Sequence, residues 1–136
     1  MMRVMVVHLH ALSARLHFWV MDREGGASAC MPRPLSPLSS LHTDHQPDTA
    51  VPHAAQMIKP TAELLGLNSE QLEVASPLLG WVEEPGRWTP VALLRIAGDD
   101  LPPLEGGRFI TLLELLQVPL TERLLMRAAY EALLGD

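Results

Sequence analysis

The sequence has very little cysteine, few aromatic side chains and no long apolar run. Cys30 is the only cysteine among the 136 residues, so no intramolecular disulfide can form, and we expect a reducing, cytoplasmic location. Only six residues are aromatic, so the core has to consist mainly of leucine, valine and alanine. His8, His10 and Arg15 interrupt the N-terminal apolar stretch, which therefore does not resemble a secretory signal peptide. No stretch reaches the roughly 20 apolar residues of a membrane-spanning helix, so we expect no membrane association.

Negative charge is concentrated in the second half of the chain. Residues 1–58 contain four arginines and four acidic residues, whereas residues 59–136 contain six basic and twelve acidic residues, which accounts for the formal net charge of −6. Binding to the phosphate backbone of a nucleic acid requires a basic surface, because phosphate neutralisation supplies most of the non-specific affinity. We therefore expect no direct nucleic-acid binding by the acidic C-terminal part.

Apolar and polar residues alternate on both sides of a short polar segment in VVHLHALSARLHFWVM, near the N-terminus. A turn at Ser13 and Ala14, or a four-residue loop over residues 12–15, predicts a β-hairpin in which His10 lies opposite His17. One face of this hairpin is apolar, with Val7, Leu9, Ala11, Leu16, Phe18 and Val20, and the other is mixed, with Val6, His8, His10, His17, Trp19 and Met21. This pattern is typical of an antiparallel hairpin that buries one face.

Prolines and serines dominate the segment that follows. Residues 27–53 contain five prolines and four serines and show neither a helical nor a strand period. This composition predicts a linker. We therefore divide the chain into a β-hairpin at residues 1–26, a linker expected to be disordered at residues 27–58, and an acidic, α-rich globular part at residues 59–136.

Start and stop signals predict several short helices in the C-terminal part. Pro60 and Gly66 bound the first helix, and Asn68 begins a second one that Pro77 closes. Residues 111–134 contain a Thr-x-x-Glu capping box and a proline at a helix start, which together predict a C-terminal helical pair.

A second hairpin is predicted between these helices. Pro85 and Gly86 suit the two central positions of a type II turn, and they separate two apolar segments in GWVEEPGRWTPVALLRI. Pro90 limits the second strand to a sheet edge or an irregular start. The predicted fold class is therefore α+β, with an N-terminal β-hairpin, a Pro-rich linker, short helices around a second β-hairpin, and a C-terminal helical pair.

The three histidines of the N-terminal hairpin are candidate metal ligands. His8, His10 and His17 share one face of the predicted hairpin, and imidazole nitrogens are common zinc ligands. Further ligands would have to come from outside the hairpin, and the candidates are Cys30, His42 and His45. The competing interpretation is that the histidines are half-exposed strand residues packed on Trp19, which is the more common situation for histidine. We therefore expect no cofactor, with zinc as the alternative.

The tryptophans are candidate partner contacts. Trp81 and Trp88 flank the Pro-Gly turn, and the predicted register places Trp88 opposite Glu83 and diagonal to Trp81. They form either a small core or, together with Trp19, a partner-binding surface.

No arrangement typical of a catalytic site is present. The sequence contains no G-x-S-x-G, and the paired glycines of REGGA and EGGRF match no phosphate-binding loop. The acid pairs in VEEPG and GDDLPP are expected to be solvated. We therefore expect that the protein is not an enzyme, and a small hydrolase that uses Cys30 or an acid pair is the least favoured alternative.

Two segments resemble the N-terminal accessory region of bacterial SWI/SNF-type helicase-like ATPases. VVHLHALSARLHFWVMDREGG is similar to the opening strands of that region, with His8 or His10, then Leu16, Phe18 and Trp19, then Glu24 and Gly25 at the matching positions. GRWTPVALLRIAGDDLPP resembles a later Trp–Pro–apolar segment. The ATPase motor itself is absent from the 136 residues, since there is no Gly-Lys-Thr/Ser loop and no Asp-Glu-x-His box.

The function expected from these observations is that of a non-catalytic accessory or protein-interaction module. The resemblance implies that it acts beside a SWI/SNF-type ATPase. The amphipathic C-terminal helix and the mixed face of the hairpin are the candidate partner surfaces. The alternative is a small metal-binding protein that uses the hairpin histidines.

Overall fold

Seven strands form one mixed β-sheet in the computed structural model, which describes residues 2–10, 12–24, 26–44 and 46–135. The strands are β1 (Arg3–His10), β2 (Arg15–Arg23), β3 (Gly26–Ser28), β4 (Ser40–His42), β5 (Leu72–Glu84), β6 (Arg87–Ile96) and β7 (Gly107–Ile110). Their order is β3-β2-β1-β6-β5-β4, and β7 also pairs with β2. Only β1 and β6 run parallel among the pairs described.

The helices lie on the two faces of this sheet. The α-helices are α1 (Ile58–Leu65) and α2 (Leu120–Leu134), and short 3₁₀ helices cover Ala54–Met57, Ser69–Gln71 and Leu112–Gln117. The α+β fold class is therefore confirmed. None of the helices in the described part of the chain has the length and apolar character needed to cross a bilayer.

Each face of the sheet carries its own hydrophobic cluster. On one face, Leu125, Met126 and Ala129 of α2 pack against inward residues of the central strands such as Val7 and Phe18. On the opposite face, Ala62 and Leu65 of α1 pack with Val4, Val6 and Trp19. Successive strand residues point to opposite faces, so β1 contributes alternately to both clusters. Burial on both faces explains why β1 and β6 read as almost continuous apolar runs.

The N-terminal hairpin is present, but its predicted register is wrong by two residues. The structure pairs His8 with His17 and His10 with Arg15, whereas the sequence analysis placed His10 opposite His17. β1 ends at His10 and β2 begins at Arg15, and Ala14 between them adopts a left-handed conformation with φ of 53°. Because the shift is an even number of residues, every side chain stays on its predicted face. The predicted pairing of Ala11 lies outside the described residues.

The Pro-rich segment differs from the expectation of a disordered linker. β3 and β4 both lie within or at the edge of residues 27–58, and Ala29, Cys30 and Leu35 are buried in the core. Met31 forms a pair of backbone hydrogen bonds with Val4 of β1, at 2.9 Å each. Part of this segment is therefore bonded to β1 and packed into the core. The division of the chain into three segments remains a prediction.

The second hairpin is confirmed, and the structure pairs Glu83 with Trp88 as predicted. The helix predicted from Asn68 to Pro77 is wrong. The capping box of Asn68 and Gln71 does form, but it caps a single 3₁₀ turn and is followed directly by β5. Backbone pairing with β6 outweighs the local helical signal here, as tertiary context commonly does.

Pro90 does not place β6 at a sheet edge, because β6 lies between β1 and β5. Pairing with β1 starts at Val91, one residue after the proline, so the missing N–H of Pro90 interrupts no β1 hydrogen bond.

The predicted helices at residues 60–66 and in the C-terminal pair are confirmed. α1 ends at Gly66, whose φ of 71° is the left-handed conformation that favours glycine at a helix C-cap. The capping box of Thr111 and Glu114 is present, and it begins a 3₁₀ helix rather than an α-helix. α2 begins directly after Pro119.

Candidate functional site

A polar cleft opens where the parallel strands β1 and β6 end. Its volume is about 360 Å³, and we call it the histidine cleft; it is lined by His8, His10, Ser13, Arg15, His17, Asp99, Asp100 and Leu101. β1 supplies the first two histidines, β2 the third, and the loop after β6 the two aspartates. The cleft is therefore the first candidate site.

His8 is held in one tautomer by the loop after β6. The side chain is 1% exposed, and its Nε2 lies 2.9 Å from the carbonyl oxygen of Gly98. A carbonyl oxygen only accepts, so Nε2 donates and the Nδ1 of the neutral ring is an acceptor. That Nδ1 is buried and has no hydrogen-bond partner among the described residues.

His17 also has a ring nitrogen that lacks a hydrogen-bond partner among the described residues. Its Nδ1 is also buried without a partner in the described part of the chain. Burial lowers the pKa of His17 below 6.5, and the neighbouring His8 and Arg15 lower it further. His17 is therefore neutral at pH 7. Burial of a polar atom without a partner destabilises the fold, so two such atoms on paired strand positions need an explanation.

His10 differs from the other two histidines because its Nδ1 is satisfied. The backbone N–H and the hydroxyl of Ser13 both lie within hydrogen-bond distance of this atom, at 3.3 Å and 3.1 Å. This contact closes the loop between β1 and β2 and explains the half-buried position of His10 locally.

The structure brings the three histidines to one cleft. Among the described residues, no group of three or more His, Cys, Asp or Glu side chains is arranged to hold a metal ion. Cys30 is buried in the core, where burial raises the pKa of its thiol. His42 lies on β4, where its Nε2 is 3.1 Å from Glu83 and its ring packs edge-on against Trp88. His45 lies outside the described residues.

A second, more apolar cavity adjoins the histidine cleft. Its volume is about 420 Å³, and its lining includes Leu112, Leu113 and Tyr130. Arg15 and His17 line both cavities. The pairing of β2 with β7 begins only at Phe18, so the backbone of residues 15–17 forms the open edge around which the two cavities meet.

The predicted tryptophan surface does not fit the structure at two of its three positions. Trp19 and Trp81 are each 2% exposed and belong to the interior, whereas Trp88 is half-buried beside His42. Trp19 packs edge-on against Phe109, with ring centroids 5.1 Å apart. Trp19 and Trp81 are therefore core residues, since both lie on strands that are covered on both faces.

Exposed leucines form a different surface on the C-terminal helices. Leu116, Leu120 and Leu124 are 75%, 65% and 41% exposed, and we call them the leucine surface. Leu120 and Leu124 lie one turn apart on the same face of α2. The carbonyl of Leu116 accepts a hydrogen bond of 3.3 Å from Arg123, which places Leu116 beside the first turn of that helix. Three adjacent exposed leucines are unusual on a free surface.

Two buried carboxylates were missed by the sequence analysis. Glu84 was expected to be solvated in VEEPG, but it is 4% exposed, accepting hydrogen bonds from Thr89 and from the backbone N–H of Ser36 at 2.6 and 2.8 Å. Strand alternation was an available signal, since Glu84 shares a face of β5 with the buried Val82.

Glu122 is the second missed carboxylate and is 1% exposed. Its oxygens accept hydrogen bonds from the hydroxyl of Ser28 and the backbone N–H of Ala29, at 2.9 and 2.6 Å. Burial raises its pKa, and these hydrogen bonds oppose that rise. Its spacing of three and four residues from Leu125 and Met126 places it on the buried face of α2, which was readable from the sequence.

Comparison with known proteins adds no relative: no protein-family model matches the chain, and no curated protein matches it either.

Proposed function

We propose that this chain is a non-catalytic protein-interaction module that binds its partner through the leucine surface. The observation that carries the proposal is the exposure of Leu116, Leu120 and Leu124, of which the last two lie one turn apart on α2. Solvation of three leucines is unfavourable, and each fully buried leucine contributes about 1.5–3 kcal/mol. A partner that covers them gains this free energy, and the spacing by four on α2 suits insertion into an apolar groove.

The charges beside the leucine surface define the partner further. Arg123 already donates hydrogen bonds to the carbonyls of Leu116 and Val118. Arg127, one turn beyond Arg123, is exposed and forms no ion pair within the described residues. We infer a partner segment in which apolar side chains are accompanied by a carboxylate. The sequence resemblance supports a SWI/SNF-type helicase-like ATPase as the protein that carries this segment.

Co-purification tests the proposal directly. The tagged chain is co-expressed with a SWI/SNF-type ATPase from the same genome, and the retained ATPase is compared with that retained by a Leu116→Glu, Leu120→Glu, Leu124→Glu variant. We expect at least a tenfold loss, roughly the effect of 1.4 kcal/mol or more. Leu64→Glu is the matched control, because Leu64 is also exposed but lies on α1, across the sheet. This control variant should retain the ATPase fully.

A photo-crosslinking residue at position 120 separates the two parts of the proposal. Crosslinking in cells to a protein other than the ATPase, abolished by the Leu116→Glu and Leu124→Glu changes, would retain the interaction module and exclude the ATPase. Absence of both co-purification and a leucine-dependent crosslink contradicts the proposed function as a whole.

A further inference from the structure

Three charged side chains of the histidine cleft have no partner among the residues that the structure describes. Arg15 lines one side of the cleft, and Asp99 and Asp100 line the other. All three are exposed, and within the described residues none forms an ion pair or a side-chain hydrogen bond. The cleft therefore presents one free cation and two free anions.

The sheet order separates these opposite charges in space. Arg15 begins β2, the aspartates follow β6, and β1 with its histidines lies between the two strands. Two strand spacings amount to about 10 Å. The polar groups thus run from acidic, through imidazole, to basic across the cleft.

We propose that the histidine cleft binds a short peptide with free termini, its ammonium group at Asp99 and Asp100 and its carboxylate at Arg15. An extended dipeptide spans about 7 Å between its ends, and side-chain reach covers the remaining distance. The cleft volume of about 360 Å³ accommodates a molecule of this size. This inference is independent of the proposed function, because the leucine surface shares no residue with the cleft.

The histidines line the middle of the cleft between the acidic and the basic residues. The Nδ1 atoms of His8 and His17 are buried and have no hydrogen-bond partner among the described residues. The charged termini of the peptide, rather than its peptide N–H, therefore make the polar contacts of the proposed complex.

The neighbouring apolar cavity indicates which peptide is preferred. Arg15 lines both cavities, so a carboxylate held by Arg15 leaves the adjoining side chain beside Leu112 and Tyr130. An apolar C-terminal residue therefore fits better than glycine.

Calorimetric titration with glycyl-leucine at low salt and pH 7.5 tests the site. N-acetyl-glycyl-leucine lacks the ammonium, glycyl-leucinamide lacks the carboxylate, and glycyl-glycine lacks the apolar side chain. Each should bind more weakly, by about fivefold for the loss of one exposed charge contact. The Asp99→Asn, Asp100→Asn double variant should no longer distinguish glycyl-leucine from its N-acetyl form. Arg15→Gln should no longer distinguish glycyl-leucine from its amide.

Glu70→Gln is the matched control, since Glu70 is an exposed acid outside the cleft, and it should preserve both discriminations. The proposal is overturned if the wild-type protein shows no binding heat with glycyl-leucine up to about 10 mM. It is equally overturned if the capped peptides bind as tightly as glycyl-leucine, or if Glu70→Gln has the same effect as the cleft variants.

Discussion

Two regions of this molecule bury polar side chains with opposite outcomes. Glu84 and Glu122 are buried, and each of their four oxygens accepts a hydrogen bond. His8 and His17 also have buried nitrogens, and one nitrogen of each has no partner among the described residues. Satisfied buried polar groups specify a structure, whereas unsatisfied ones destabilise it. The carboxylates therefore explain a fold feature, whereas each imidazole has a buried nitrogen that no described residue satisfies.

The feature that the two carboxylates explain is the fixed conformation of residues 28–36, which we call the anchored segment. Glu122 holds its beginning through Ser28 and Ala29 and also accepts a backbone hydrogen bond from Leu35, and Glu84 holds its end through Ser36. Both carboxylates come from distant parts of the chain, α2 and the end of β5. We therefore predict that removing either carboxylate lowers the free energy of unfolding, whereas removing an unsatisfied imidazole does not.

The largest effect is expected for Glu122→Ala. The substitution leaves the N–H of Ala29 and the hydroxyl of Ser28 buried without their acceptor and opens a cavity, so the free energy of unfolding should fall by about 3 kcal/mol. Urea unfolding at pH 7 measures this loss.

Glu122→Gln is the control for this prediction. The amide oxygen can accept from Ala29, its NH₂ can donate to Ser28, and the Ser28 hydroxyl can turn toward the carbonyl of Cys30, 3.4 Å away. Because burial raises the pKa of the carboxyl, a neutral side chain also avoids the desolvation of a charge. The loss should stay within about 1 kcal/mol. An equal loss in both variants would contradict the hydrogen-bond explanation.

A smaller loss, about 2 kcal/mol at pH 7, is expected for Glu84→Gln. Burial opposes ionisation of Glu84, but hydrogen bonds from Thr89 and Ser36 and the charges of Arg87 and Arg3 lower its pKa below 4.5 overall. The stabilisation from its charge is therefore present above pH 4.5 and is lost as the pH falls through the lower, folded-state value. The stability difference between wild type and Glu84→Gln should shrink between pH 7 and pH 3.

Chemical denaturation of both proteins at several pH values tests this sign. Glu70→Gln is the control, since Glu70 is exposed and forms no ion pair within the described residues. If the stability difference between wild type and Glu84→Gln stays constant or grows on acidification, the charge of Glu84 does not stabilise the fold.

Local signals predicted much of this fold, because their partners are close in sequence. The Pro85-Gly86 turn sets the register of the second hairpin, and Gly86 has the left-handed φ of 77° that the turn requires. The faces of the first hairpin followed from alternation alone. Its register did not, since the loop had no strong turn signal and Ala14 adopts the left-handed conformation without being glycine or asparagine.

Long-range contacts set the features that the sequence analysis could not predict. The parallel pairing of β1 with β6 joins residues almost 90 positions apart, and no local pattern encodes it. The anchored segment reads as a linker because its partners, Glu84 and Glu122, lie about 50 and 90 residues away. For the candidate site, the histidine face was predictable, but the aspartates and Gly98 join it only through the β1–β6 pairing.

The smallest and opposite effect is expected for His17→Phe, which should increase the free energy of unfolding by about 1 kcal/mol at pH 7.5. The substitution removes a buried nitrogen without a partner and keeps an aromatic ring of similar shape. Because burial first, and then His8 and Arg15, lower the pKa of His17 below 6.5, the unfolded chain takes up its proton more readily than the folded one. Wild type therefore loses stability as the pH falls below 6.5, until the folded-state value is reached.

The advantage of His17→Phe over wild type should consequently grow between pH 7.5 and pH 5.5, as measured by urea unfolding. The charge of Glu114 favours the protonated form of His17. When the protein that keeps His17 carries Glu114→Gln, the stability advantage of His17→Phe should therefore increase more steeply as the pH falls. His10→Phe is the matched control: its Nδ1 already has Ser13 as a partner, so the change should be neutral or mildly destabilising. If His17→Phe destabilised the protein as much as His10→Phe, the two histidines would be equivalent. The contrast between satisfied and unsatisfied buried groups would then not hold for the cleft histidines.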